Sequence, residues 1–239
     1  MHKRLATSAL IAVVAVALAG CGGATPQGNA SPSSSAPSPT PTPTPKSYSN
    51  EDLTAIVAGL KDSKGQALTV VPAAQIDQGL ITAKKMLKAA VITPPECGVL
   101  ADNNAQVPEG STYAAGTTQS AANQTAIIIT VFAVKDPSVM SAEFDKSQTA
   151  LGKCAAFTVE LKGQEIAMTM QPLDVKTSGE KSLSVLSTQS LARGQKQMNI
   201  QVMGVKGTLA VTAVKAGAAV SPESAPELVQ LVNDVLGKG

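Results

Sequence analysis

Hydrophobic residues in the first part of the chain recur mostly at helical spacing. Residues 49–52 form a capping box, and the apolar positions behind it are three or four apart, which predicts a first helix. A second apolar stripe, from Ile76 to Ala90, avoids the lysines and predicts an amphipathic helix that the prolines at 94 and 95 end. The pattern therefore predicts helices at 50–61 and 73–90, a short strand at 67–71, and a short helix that carries Cys97 and ends near Ala101.

Beyond residue 112 the hydrophobic period changes to two, and one helical segment interrupts it. The predicted strands are 113–120, 125–134, 155–161, 164–172, 182–191, 197–204 and 207–215, with helices at 136–151 and from about 222 to 236. Glycines between successive strands indicate antiparallel connections. The sequence thus predicts an α+β fold, a twisted antiparallel sheet of about six to eight strands with flanking helices and one disulfide.

The first twenty residues have the three parts of a secretory signal peptide. Lys3 and Arg4 supply positive charge, an apolar run follows, and small residues precede Cys21. The tetrapeptide at 18–21, Leu-Ala-Gly-Cys, resembles the bacterial lipobox, in which the cysteine thiol carries a diacylglycerol. We therefore expect residues 1–20 to be removed and Cys21 to be lipidated. An ordinary signal peptide with an incidental cysteine and an uncleaved membrane helix are the alternatives.

A stalk at residues 21–48 is expected to separate the anchor from a globular domain at 49–239. Residues 22–48 are almost entirely Gly, Ser, Thr, Ala, Asn and Pro, a composition that does not form a core. Alternating prolines favour polyproline II, so the stalk would reach roughly 80 Å at ~3.1 Å per residue. Such a composition also occurs in O-glycosylated stalks. The remaining chain is long enough to bury a single core.

Residue types absent from the mature chain exclude several kinds of chemistry. The single histidine, His2, lies in the signal peptide, which excludes histidine-dependent hydrolysis and histidine-ligated metal sites. Removing Lys3 and Arg4 lowers the basic count from 19 to 17, equal to the 17 acidic residues, so a nucleic-acid partner is disfavoured. Arg193 is then the only arginine, too few for clustered phosphate recognition. We expect no enzyme, no cofactor and no metal.

Cys97 and Cys154 are the two cysteines left once Cys21 is acylated. An even pair in an oxidising compartment favours a disulfide between them. Closing a loop of about 58 residues would stabilise the fold by up to roughly 4 kcal/mol in the chain-entropy model. A redox role is disfavoured because the two cysteines do not form a Cys-x-x-Cys motif.

A longer pattern extends across the domain. It consists of Pro-Pro-Glu-Cys97, a Tyr113-Ala-Ala-Gly strand, the strand at 127–134, a helix, Cys154, and a strand that begins Phe157-Thr-Val. This order resembles the extracellular sensor-like domain first known from the mycobacterial kinase PknH, whose relatives occur in many actinobacterial lipoproteins. The resemblance covers most of residues 50–237.

The resemblance implies an antiparallel sheet, the Cys97–Cys154 bridge, and a cleft proposed to take an unidentified ligand. It also implies a sensor or an envelope lipoprotein rather than an enzyme. Kinase-linked members typically carry two disulfides, whereas this chain has cysteines for one and shows no kinase segment. No ligand-contacting residue is therefore carried over from the family.

Two functions are expected. The first is a non-catalytic ligand-binding or sensor-like domain, lipid-anchored to the outer face of the cytoplasmic membrane, with a small molecule, glycan, lipid or protein as ligand. The second is a lipid or glycolipid carrier of the cell envelope, suggested by the 44% hydrophobic composition. Four methionines on predicted strands are candidates to line a lipid pocket, although ordinary core packing is the favoured interpretation: Met168, Met170, Met198 and Met203. A hydrolase using a Ser-Lys pair or two carboxylates has no supporting motif.

Overall fold

The computed structural model describes residues 46–102, 110–121, 124–191, 194–217 and 220–238. Cys21, the predicted signal peptide and the predicted stalk up to residue 45 lie outside the described residues. In chain order the helices and strands are α1 (Asn50–Ala58), β1 (Thr69–Val70), α2 (Ala73–Lys88), β2 (Ala90–Thr93), α3 (Gly98–Asp102), β3 (Thr112–Ser120), β4 (Thr125–Ala133), α4 (Pro137–Lys153), β5 (Ala156–Leu161), β6 (Gln164–Pro172), β7 (Lys181–Ser190), β8 (Lys196–Lys206), β9 (Leu209–Gly217) and α5 (Ala225–Leu236).

The described strands form one antiparallel sheet of nine in the order β1-β3-β4-β9-β8-β7-β6-β5-β2. This confirms the predicted α+β fold, with a strand count one above the expected six to eight. The additional strand is β2, which pairs Ala90 with Leu161. The hydrophobic pattern extends the predicted helix to Ala90, because no turn residue separates the end of α2 from the β-branched run that follows.

Helices α1 and α5 cover one face of the sheet, here called the α1–α5 face. The apolar stripe predicted for α5 is fully buried there: Leu228, Leu231, Val232, Val235 and Leu236. It packs against the alternate residues of the central strands, such as Ile129, Val202 and Val211. Burying this many aliphatic side chains, each worth roughly 1.5–3 kcal/mol, makes this layer the main source of stability.

Glu227, in the first turn of α5, ties that helix to the sheet. Its carboxylate accepts a hydrogen bond from the hydroxyl of Ser63 at 2.5 Å and one from the ammonium of Lys215 on β9 at 2.6 Å. Burial raises the pKa of Glu227, but the bonds from Lys215 and Ser63 outweigh it and hold the pKa below its ordinary value. Glu227 is therefore ionised wherever the domain is exposed to neutral pH.

Helix α4 crosses the opposite face of the sheet, here called the α4 face. Phe144 and Met140 of this helix pack against Met203 and Val205 of β8. Further along, α4 ends at the disulfide cluster, in which the two cysteines pack with Leu151 and Phe157. Four core positions are predicted for α4: Met140, Phe144 and Leu151 are buried, whereas Val139 is half-buried against the same cluster.

The predicted disulfide between Cys97 and Cys154 is present. Their Cα atoms are 5.6 Å apart, and 57 positions separate them in sequence. Both cysteines are buried, with exposures of 0% and 1%. The bridge fastens α3 and the turn before it to the end of α4 and so fixes the arrangement of the layer that lies over β5, β6 and β7.

Candidate binding groove beneath helix α2

Helix α2 joins the two outermost strands of the sheet but packs tightly against none of the described elements. None of its side chains is buried. Its apolar side consists of Ile76, Leu80, Ala83 and Leu87, all half-buried. An amphipathic helix seated closely on a sheet would bury such a stripe completely, as α5 does. The apolar side of α2 is therefore partly open to solvent.

One hydrogen bond places α2 on the α4 face. The hydroxyl of Tyr113 on β3 donates to the carboxylate of Asp77 in α2. Tyr113 lies opposite Phe132 of β4 in the sheet, and both belong to the row that continues to Ala210 under α4. The same bond raises the pKa of Tyr113, because ionisation of the phenol would bring two negative charges together.

The sheet residues on the α4 face beyond α4 form a surface that is also incompletely covered. Paired residues of antiparallel strands share a face, so the register defines two rows here. The first row is Thr117, Ile128, Val214 and Gln201, and the second is Ala126, Ala216, Asn199 and Ser187. Every residue of the first row is half-buried. We call the space between these rows and α2 the α2 groove, and the two rows its floor.

The groove floor divides into an aliphatic part and an amide part. β4 and β9 contribute Ile128, Val214 and two alanines, whereas β8 contributes a carboxamide at every second position: Gln197, Asn199 and Gln201. Alternate residues of a strand lie roughly 6.8 Å apart, so these three side chains form a regular row, here called the carboxamide ladder. Gln189 of β7 pairs with Gln197 and extends the ladder sideways.

Most hydrogen-bonding capacity of the ladder is unused by the protein. The hydroxyl of Ser187 donates to Oδ1 of Asn199 at 2.5 Å, which fixes that amide and leaves its NH₂ group available. Within the part of the chain that the structure describes, Gln189, Gln197 and Gln201 make no side-chain hydrogen bond to another residue. The floor therefore carries donors and acceptors together but no ionisable group.

Helix α4 lies on the same face of the sheet as the groove and carries charged residues on both flanks. Lys181 binds Asp145 at 2.5 Å and the carbonyl of Ser141 on the outer flank of that helix. The opposite flank, which faces the centre of the sheet, carries Glu143, whose side chain is buried and forms an ion pair with Lys146. The charges of Glu143 and Asp145, on the two flanks of α4, are thus each compensated by a lysine.

The sequence interpretation missed the carboxamide ladder, although its signal was present. Carboxamide and apolar residues alternate here, which is the period-two pattern of a strand with one apolar face. The carboxamides are Gln197, Asn199 and Gln201, and the apolar residues are Met198, Ile200 and Val202. Such polar positions ordinarily face bulk water. Only the register with β7 and the passage of α2 over the same face distinguish them as the floor of a groove.

The methionines proposed from sequence as pocket residues do not gather in one place. Met168 and Met170 pack against the disulfide cluster, Met203 packs under α4, and Met198 faces the core between the sheet and α5. They fill gaps in three separate clusters, as core methionines commonly do.

A second depression, with a volume of about 310 Å³, lies at the start of α4. Its lining residues are Pro137, Ser138, Ser141, Glu180, Lys181, Val205 and Gly207. The polar groups at this position are already engaged: Lys181 pairs with Asp145, and Asp136 accepts from the backbone N–H of Ser138. That bond holds the pKa of Asp136 below its ordinary value. We therefore regard the α2 groove as the stronger candidate site.

Among the residues that the structure describes, no three His, Cys, Asp or Glu side chains cluster closely enough to hold a metal ion. In the same ranges, no helix is both long and apolar enough to cross a membrane.

These features define an α+β domain with a single antiparallel sheet, one disulfide and a groove beneath a bridging helix. The fold is similar to that in the crystal structure of the extracellular domain of PknH from Mycobacterium tuberculosis, with a TM-score of 0.54 and 17% sequence identity over 82% of this chain and 98% of that one. The structure of the Rv0999 ortholog from Mycobacterium smegmatis also matches, with a TM-score of 0.43 and 10% identity over 72% and 84% of the two chains. No family model and no curated protein matches the sequence. The fold expected from the resemblance to the PknH extracellular domain is confirmed.

Proposed function

We propose that this protein is a membrane-anchored extracytoplasmic lipoprotein whose domain binds a ligand in the α2 groove without catalysing a reaction. The observation that carries the proposal is that the apolar side of α2 and the first row of the floor, on the same face of the sheet, are both only half-buried. Apolar surface that stays exposed to water does not stabilise the domain. A ligand bound in the groove would bury that surface and so stabilise the domain. The similarity of fold to a kinase's extracellular domain supports the extracytoplasmic location.

The binding proposal is tested by hydrogen–deuterium exchange of the full chain. The protein is incubated separately with glycan, lipid and peptide fractions of the bacterial envelope, and exchange is followed by mass spectrometry. We expect one fraction to slow exchange in α2 and β8, because a ligand that bridges the groove stabilises both the helix and the floor against local opening. A full set of fractions that leaves both elements unchanged would contradict ligand binding.

The anchor is the second part of the proposal. The lipobox-like tetrapeptide and the proline-rich segment after it support lipidation of Cys21 and a stalk of extended conformation. A diacylglycerol supplies the two chains needed for stable attachment to a bilayer. Metabolic labelling with a fatty-acid analogue should mark the wild-type chain and leave Cys21→Ser unmarked. Equal labelling of both would refute lipidation at this position.

A lipid carrier is the competing function, and the aliphatic part of the floor favours it. A carrier must shield whole acyl chains from water, which requires an enclosed apolar cavity. The first row of the floor is partly exposed and β8 lines the floor with amides, so we rank the binding domain first. Lipid that co-purifies with the full chain and is released only by organic solvent would reverse this order.

A further inference from the structure

The chemistry of the groove floor restricts the ligand that fits it. The two rows of the floor contain no ionisable side chain. On the helices of the same face, Glu143 forms an ion pair with Lys146, and Asp77 accepts a hydrogen bond from the hydroxyl of Tyr113. An anionic ligand would lose water on entering and gain no counter-charge. Lys84 and Lys88 of α2 are exposed to solvent and belong to neither row of the floor. The floor itself therefore favours an uncharged ligand over an anionic one.

The carboxamide ladder adds a second restriction. Each free carboxamide offers two N–H donors and an acceptor oxygen side by side. A sugar hydroxyl donates and accepts through a single oxygen, so neighbouring hydroxyls on a ring match a row of amides without leaving a buried group unpaired. The aliphatic residues beside the ladder, Ile128 and Val214, suit the C–H face of a pyranose ring.

We propose, resting on the binding function above, that the α2 groove recognises a neutral glycan, with Asn199, Gln201 and Gln189 as the residues that bind its hydroxyls. Asn199 is held by Ser187 and so presents its NH₂ group in a fixed direction. A ligand without hydroxyls would remove water from these amides and leave them without hydrogen-bond partners, which costs free energy. The groove would therefore select ligands that carry hydroxyls. A peptide, whose donors and acceptors are on separate atoms along its backbone, is the alternative that the test includes.

The test uses isothermal titration calorimetry on the full chain with defined probes. The neutral probes are pentasaccharides of glucose, mannose, galactose and N-acetylglucosamine. The comparison probes are penta-galacturonate, which is anionic, and an uncharged decapeptide. Exchange protection of β8, measured by mass spectrometry with the best probe, localises the binding. We expect at least one neutral pentasaccharide to bind and protect β8, and the anionic probe to bind at least tenfold more weakly.

Two matched variants connect binding to the ladder. Gln201→Ala should weaken the best pentasaccharide about tenfold, since the amide's hydrogen bonds to the ligand are lost. Gln171→Ala, an exposed glutamine on the other face of the sheet at β6, should leave affinity unchanged. Equal affinities in the two variants would overturn the assignment of the ladder.

The remaining outcomes separate this inference from the binding function. Protection of β8 by the decapeptide or by penta-galacturonate, with no response to any neutral sugar, overturns the glycan assignment and leaves the groove as a binding site. If no probe and no envelope fraction protects either β8 or α2, the glycan assignment and the binding function both fall.

Discussion

The buried disulfide allows the most quantitative prediction. Reducing the Cys97–Cys154 bridge frees a loop whose ends are 57 positions apart in sequence. In the chain-entropy model, a loop of this length restricts the unfolded chain enough to stabilise the native state by about 4 kcal/mol. For a domain of this size each kcal/mol corresponds to roughly 2–4 °C, so the expected loss is roughly 8–16 °C in melting temperature.

Urea unfolding of three samples separates the contributions of the cross-link and the sulfur atoms. Oxidised protein is compared with protein reduced in urea and refolded in reductant, because the buried sulfurs are accessible only after unfolding. The difference between these two samples measures the cross-link alone. The double variant Cys97→Ala/Cys154→Ala, compared with the reduced protein, measures the packing of the sulfurs in the disulfide cluster.

The result that would refute this reasoning is specific. If oxidised and reduced proteins unfold at free energies within about 1 kcal/mol of each other, the bridge does not act through the entropy of the unfolded chain. An expected loss of about 4 kcal/mol is a large part of the 5–15 kcal/mol typical of a domain, so an effect of that size is readily measured.

Three further predictions concern single positions. Glu227→Gln should destabilise the domain by about 1–3 kcal/mol at pH 7, measured by urea unfolding. Because the pKa of Glu227 is lowered in the folded state, the difference in unfolding free energy between variant and wild type should vanish as the pH falls through that pKa. Gly116→Ala should lower the free energy of unfolding by about 1–3 kcal/mol, since the new Cβ would lie 2.5 Å from a methyl group of the buried Val57. In Gly79→Ala of α2 the new Cβ meets nothing within 4 Å, so thermal unfolding should show a stabilisation of about 0.4–1 kcal/mol. Asp77→Asn should lower the pKa of Tyr113 toward 10, seen in ultraviolet titration, and an unchanged pKa would show that this hydrogen bond does not form.

The local elements were predictable because their signals lie within a few residues of one another. The capping box at Ser49 and Asp52 is formed as expected, with hydrogen bonds in both directions. The hairpin between β5 and β6 follows from its Lys162-Gly163 turn, where both residues have the positive φ angles that a two-residue connection requires. Short-range chemistry of this kind does not depend on the rest of the fold.

The order of the strands and the groove were not predictable in the same way. Nothing local in β9 indicates that it pairs with β4, since that choice depends on which apolar faces α1 and α5 can cover together. The groove depends in turn on α2 passing between the two edges of the sheet. The amides of β8 become a candidate site only because α2, a segment distant in sequence, passes over the same face of the sheet. No local pattern in the sequence indicates that arrangement.

The position of β9 also determines when the sheet can be completed. In the strand order, β9 alone joins the group β1, β3 and β4 to the group formed by β8, β7, β6, β5 and β2. A nascent chain that has emerged only as far as residue 208 therefore holds two half-sheets, each with an unpaired inner edge open to mispairing. The last strand to appear closes both edges at once, so the domain is expected to gain its native stability in one late step rather than gradually during its emergence.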